Sequence, residues 1–270
     1  MYSKTRSLPP AILMAFLTVK ALGAQHAFSP RATTPESSHP QPVVLELFTS
    51  EGCSSCPPAD AFLKRLDDSG HLNDVEIIAI EEHVDYWDHQ GWRDPFSSHD
   101  WTERQEQYAQ AFHHDGPFTP QFVVNGSKDF VNMSSRAALQ NVVEASRVAS
   151  VELHLSQTNV SPRSAEFSIT IENAPPDTHS GHLLLAVTER GLSSNVLRGE
   201  NQGRNLTHAP VLRSLTSIRI PTTNPSAVTE VKAKVALDPS WKRENLRFVI
   251  LLQERKSLHI VGAAASTISR

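Results

Sequence analysis

The sequence predicts an α/β domain followed by a mainly β, sandwich-like domain. From 43 to 149, apolar runs of strand length alternate with stretches of helical period. From 150 to 270, nearly every apolar segment alternates with polar residues at period two. The only two cysteines of the 270 residues, Cys53 and Cys56, lie where the first predicted strand gives way to the first predicted helix.

Residues 1–24 carry Lys4 and Arg6, then an apolar run from Ala11 to Ala24 interrupted by Thr18 and Lys20. This has the form of a secretory signal peptide, with Leu22 and Ala24 at the positions a peptidase reads. The run is short of the ~20 residues a membrane-spanning helix needs. Lys20 interrupts it and leaves an uncleaved anchor as the alternative. Residues 25–42, with Pro30, Pro35, Pro40 and Pro42 among Ser, Thr and His, are expected to be a flexible lead-in.

Val43 to Phe48 is a β-rich run suited to a buried strand. After Thr49-Ser50-Glu51-Gly52-Cys53-Ser54-Ser55-Cys56-Pro57-Pro58, the apolar residues Ala59, Phe62, Leu63 and Leu66 fall at helical spacing. Val75 to Ile80 is the next strand, and a polar and aromatic loop follows from Glu81 to about Asp100. A helix from about His99 to Phe112 places Trp101, Tyr108 and Phe112 on one face, and His113 and His114 end it, where their positive charge suits the dipole. Phe118 to Gly126 reads as a strand ending in an Asn125-Gly126 hairpin turn, followed by a short partner at Asp129 to Val131. A last helix from Ser134 to Val148 aligns Ala138, Val142 and Ala145.

Beyond 150, Val151 to Leu155, Ala165 to Ile171 and Val231 to Leu237 alternate, Phe248, Ile250 and Leu252 recur at every second position, and Leu183 to Val187 is continuously apolar. Six or seven such strands, with turns at 173–176, 221–225 and 238–239, predict a small β-sandwich. Arg198 to Arg213 is polar and reads as a loop holding Glu200, Asn201, Arg204, His208 and Arg213. It either covers the cysteine pair, grips a partner, or serves as a hydrogen-bonded linker between domains.

Lys and Arg number 25 and Asp and Glu 29, with no basic block, so the electrostatic footprint of a nucleic-acid binder is missing. Loss of the leader removes only positive charge, and no second apolar run is long enough to span a membrane. Two cysteines exclude a disulfide-rich scaffold, and an exported chain resides where disulfides persist, so the expected location is periplasmic or secreted.

The order β-α-β-α-β-β-α, with a CxxC opening the first helix and Thr119-Pro120 directly before the third strand, predicts a thioredoxin-like fold for 43–149. In such proteins that proline has a cis peptide bond and faces the CxxC, so Thr119 and Pro120 join the candidate site.

The chain also resembles the DUF1223 family of exported bacterial proteins. The resemblance rests on residues 43–60, His83-Val84-Asp85-Tyr86-Trp87-Asp88, Gly91-Trp92-Arg93-Asp94-Pro95-Phe96, residues 119–126 and residues 199–208. It implies a thioredoxin-like N-terminal half and a redox pair, without a settled substrate.

A thiolate attacks disulfides, and a helix N-terminus lowers a thiol pKa from about 8.5, so Cys53 is the expected nucleophile and Cys56 the resolving thiol. Glu51 opposes that shift. Three readings of the pair compete. The first is thiol-disulfide exchange with a protein or small-molecule thiol or disulfide, with no cofactor. The second is a Cu(I) site or copper carrier that adds His83 to Cys53 and Cys56. The third is a permanently closed disulfide in a redox-inert binding module. In the exchange reading, His83 or Asp85 assists proton transfer to Cys56. Trp87 and Trp92 either floor a substrate groove or pack a lid or domain seam.

Overall fold

The computed structural model describes residues 1, 40–148, 150–172, 174, 181–221 and 228–268. Apart from residue 1, the predicted signal peptide lies outside the described residues, as do most of the lead-in and most of the turns at 173–176 and 221–225. No helix among the described residues is long and apolar enough to cross a membrane.

β1 (Val43–Thr49) is buried at every position, as a strand inside a sheet must be to justify so apolar a run. α1 (Pro57–Ser69) begins directly after Cys56, with Pro57 and Pro58 in the first turn, where their missing N–H groups break no helical bond. It ends at Gly70, whose φ of 72° lets its N–H turn back to the carbonyls of Leu66 and Asp67. Ala59, Leu63 and Leu66 form its buried face.

The short β2 (His71–Leu72) precedes β3 (Val75–His83). β3 thus runs three residues past the predicted end at Ile80, through Glu81, Glu82 and His83, which the sequence reading assigns to a loop. All three side chains are buried: Glu81 and His83 pair with each other, while Glu82 lies 3.6 Å from Arg104 and burial pushes its carboxyl well above the usual range.

α2 (His99–Ala111) is started by Ser98, whose hydroxyl accepts from the Asp100 N–H, and it buries Trp101 and Tyr108. His113 and His114 follow its end, and His114 pairs with Asp129 at 2.7 Å instead of serving the helix dipole. The Thr119-Pro120 bond is cis and leads into β4 (Gln121–Val124). β4 pairs with β5 (Lys128–Phe130) across Asn125-Gly126-Ser127, in which Asn125 and Gly126 have positive φ. A Cβ on Gly126 would lie 2.0 Å from the Leu258 carbonyl oxygen, so only glycine fits there. α3 (Arg136–Ser146) is capped by Ser135 and buries Ala138 and Val142.

The second half contributes β6 (Glu152–Ser161), β7 (Ser164–Glu172), β8 (His182–Glu189), β9 (Ser193–Asn195), β10 (Asn205–Thr207) and β11 (Val211–Ile218). They are followed by β12 (Thr229–Ala236), β13 (Leu246–Gln253) and β14 (Ile260–Thr267). The segment expected to be a loop from Arg198 to Arg213 thus holds β10 and the start of β11. Pairing with β9 and with the main sheet supplies the backbone bonds its polar side chains do not announce.

The main sheet is mixed, in the order β14-β13-β8-β11-β3-β1-β4-β5, with β2 beside β3. β1 and β3 are parallel, and Thr49 stands opposite His83. β11 joins the other edge of β3 in parallel, with Val211 opposite Glu81. One sheet therefore crosses residue 150, and the edge of β3 is covered from the second half. A second sheet, β12-β7-β6, packs on the first through a core that includes Phe167, Ile169, Leu185, Val187, Phe248 and Ile250.

Candidate functional site

The cysteine turn lies between the end of β1 and the start of α1. Cys53 and Cys56 form a disulfide with Cα atoms 5.4 Å apart, and both residues are fully buried. The Cys53 N–H donates to the Ser50 carbonyl at 3.1 Å and the Cys56 N–H to the Cys53 carbonyl at 3.2 Å. Ser54 and Ser55 are exposed, so solvent meets the serines and not the sulfurs.

A strap from the second half covers this turn. The Asn201 side-chain amide donates to the carbonyls of Glu51 at 2.8 Å and Cys53 at 2.9 Å. The Ser54 N–H reaches Glu200 Oε2 at 3.3 Å. These bonds join the segment to the first half, as both the covering and the hydrogen-bonded linker roles expect.

Both predicted tryptophans touch the turn. Trp87 donates to Thr119 Oγ1 at 2.9 Å and lies so close to Gly52 that a Cβ there would be 3.0 Å from its own. It therefore ties the cysteine turn to the Thr119-Pro120 segment. Trp92 donates to Glu51 Oε2 at 2.7 Å and packs on Gly199, which gives it the seam position. Asp85 is engaged elsewhere: it accepts from Thr102 Oγ1 at 2.6 Å and pairs with His99 at 3.2 Å, tying its loop to α2.

His83 is fully buried, with Nδ1 2.7 Å from Asp94 Oδ2 and Nε2 3.0 Å from Glu81 Oε1, so its partners are carboxylates. Glu81 Oε1 is also 2.8 Å from His208 Nδ1, and His208 Nε2 is 2.9 Å from Glu51 Oε1. Glu81 Oε2 accepts the Ala209 N–H. The two imidazoles meet edge to face at 4.7 Å, and Phe96 packs against both. A continuous chain of bonds thus runs from Asp94 through His83, Glu81 and His208 to Glu51, two residues before Cys53. Among the described residues, the donor group that includes His83 is completed by Glu81 and His208.

A family model described as a protein of unknown function, DUF1223, matches residues 44–253. The chain belongs to the DUF1223 family. Its fold is similar to that of protein AGR_C_4864 from Agrobacterium tumefaciens, at 23% identity and a TM-score of 0.64, over 87% of this chain and all of that one. It is also similar to HBP35 of Porphyromonas gingivalis, at 14% identity and a TM-score of 0.60, over 86% of this chain and 77% of that one. No curated protein matches it.

In this DUF1223 protein the buried chain of side chains is strongly polarised. Burial pushes the Glu81 carboxyl up, but His208 and His83 outweigh it and hold it at about 2. Burial opposes charge on both histidines, yet the carboxylates prevail. Glu81 and Glu51 raise His208 to about 9, and Asp94 and Glu81 hold His83 well above the usual range. Burial also works against ionised Asp94, and His83 together with the N–H groups of Glu51 and Phe96 keeps it low. Asp60, one turn into α1, goes the other way. Burial and the charge of Glu81 raise it to about 8 despite its bond from Thr49 and the charges of His208 and His83.

Glu81 and Asp94 are not marked as site residues by the sequence, and Asn201 and His208 stand in it as parts of one polar segment. One signal was available: Glu81 and His83 continue the period-two alternation of β3 onto a single face.

Proposed function

We propose that this DUF1223 protein is an exported thiol-disulfide oxidoreductase with a thioredoxin-like N-terminal half, exchanging disulfides with a protein or small-molecule thiol. The observation that carries this reading is the Cys53–Cys56 disulfide, formed by the chain's only cysteines where β1 meets α1. A bond closing so short a loop constrains the unfolded chain little, so stability is a weak reason for it. Its position beyond the carboxyl ends of parallel strands is where open α/β sheets carry reactive groups. The order β3-β1-β4-β5, with α1 between two parallel strands, supports the thioredoxin-like reading. The leader-like residues 1–24 support export.

In the oxidising direction, a partner thiolate attacks Cys53 Sγ. The new S–S bond forms as the Cys53–Cys56 bond breaks, and its electron pair leaves on Cys56, which takes a proton from solvent. A second partner thiolate then attacks the partner's sulfur and expels Cys53. The partner dithiol is oxidised by two electrons and the pair is reduced; the reverse sequence reduces a partner disulfide. Because both cysteines are buried, the turn must open first, and the Glu200-Asn201 strap is bonded to its backbone.

Cys56→Ser removes the resolving thiol and is expected to trap partners as mixed disulfides on Cys53, visible on non-reducing gels of periplasmic extract, while Cys53→Ser traps none. Absence of adducts with both variants, together with a pair that stays oxidised in reduced glutathione and reduced thioredoxin alike, overturns the proposal in favour of a redox-inert binding module.

A further inference from the structure

We infer that Glu81, His83 and His208 form a binding site for a divalent transition-metal ion of borderline softness, such as zinc. This goes beyond disulfide exchange and uses neither cysteine. The three donor atoms, Glu81 Oε1, His83 Nε2 and His208 Nδ1, converge in a fully buried cluster. Two imidazoles and one carboxylate are a donor set that suits zinc and ferrous iron, and the set lacks the thiolates that would favour Cu(I).

The second observation is what holds the donors. A metal-bound histidine characteristically gives its other ring N–H to a carboxylate, which fixes the ring and makes it a better ligand. Both histidines have that partner: His83 Nδ1 faces Asp94 at 2.7 Å, and His208 Nε2 faces Glu51 at 2.9 Å. Glu81 Oε2 is occupied by the Ala209 N–H, which leaves Oε1 as the ligating oxygen. An ion at about 2.0–2.1 Å from each donor needs neighbouring donors roughly 3.3 Å apart. The carboxylate oxygen, now 3.0 and 2.8 Å from the two nitrogens, has only a few tenths of an ångström to give.

Because Glu51 holds His208 and lies two residues before Cys53, the ion would anchor the base of the cysteine turn.

The test uses the full chain with its disulfide closed, so that no thiolate is present. The protein is refolded with Zn²⁺ so that a buried site can fill, then desalted and its metal counted. One zinc per chain is expected, and a Co²⁺-loaded sample should show visible bands of nitrogen and oxygen ligation. His208→Ala should abolish retention, and Asp94→Asn should weaken affinity about 10–100-fold. His154→Ala, in the exposed Glu152, His154 and Glu172 group, should change nothing. If His208→Ala does not fold, Asp94→Asn and the cobalt spectrum decide. The inference is overturned if the wild type retains no zinc, if retention is lost in His154→Ala, or if Asp94→Asn binds as tightly as the wild type.

Discussion

The side-chain amide of Asn201 donates to the backbone carbonyl of Cys53 at 2.9 Å, across 148 positions of sequence. The same amide satisfies the Glu51 carbonyl, so one residue of the second half pins both sides of Gly52. Asn201→Ala takes the side-chain donor from the Glu51 carbonyl and leaves the Cys53 carbonyl with the Cys56 N–H, and is expected to lower stability by about 1–3 kcal/mol. It should also speed reduction of the disulfide by a small thiol, because the strap then opens more often. Denaturant unfolding and stopped-flow reduction measure the two effects; unchanged reduction kinetics would separate the strap from access to the sulfurs.

Gly52 faces Trp87 so closely that a methyl group there would stand 3.0 Å from Trp87 Cβ and 3.3 Å from the Trp87 carbonyl oxygen, and the packed indole segment would have to give by a few tenths of an ångström. Gly52→Ala should therefore cost about 1–3 kcal/mol through overpacking. Trp87 fluorescence should shift as its bond to Thr119 is disturbed, and a wild-type emission spectrum would count against the contact.

Asp60 makes stability depend on pH in the reverse of the usual carboxylate sense. Its folded pKa is raised to about 8 by burial and Glu81, above an unfolded value near 3.8. Between those values the folded state keeps a proton that the unfolded state loses, so this group's contribution falls as pH rises and is fully lost above about 8. Asp60→Asn keeps an acceptor for Thr49 and cannot ionise. The stability of this variant relative to wild type should climb from pH 4 to pH 8 and then level off, as read from urea midpoints; a flat difference rejects the assignment.

Arg104 lies buried on the other face of the sheet, where it bonds Glu46, reaches Tyr108 Oη at 3.1 Å and approaches Glu82 at 3.6 Å. Arg104→Met leaves the Glu46 carboxylate with only Tyr108 as donor. A loss of about 3–5 kcal/mol is expected. Glu46→Gln made together with Arg104→Met should recover part of it, and a double variant no more stable than the single one would contradict the pairing.

The first half was largely legible because its elements are encoded locally. Ala59, Leu63 and Leu66 recur at helical spacing, Pro57 and Pro58 mark the start of α1, and Ser98 and Ser135 supply caps that need only their own neighbours. The end of β3 was not legible, because Glu81-Glu82-His83 becomes strand only when Arg104, Asp94 and His208 arrive to pair those side chains. The same holds for β10 and the start of β11, whose polar residues depend on partners far along the chain.

By itself, the sequence determined the cysteine spacing, the position of that pair at a helix start and the periodicities of most strands, since each depends on residues within a turn or two. Only the tertiary structure decided that β11 joins β3, that Asn201 covers Cys53, and that His208 meets Glu81 and Glu51. Those contacts span more than a hundred residues and depend on which sheet edge the second half covers, a choice made by the packing of whole strands and not by any local pattern.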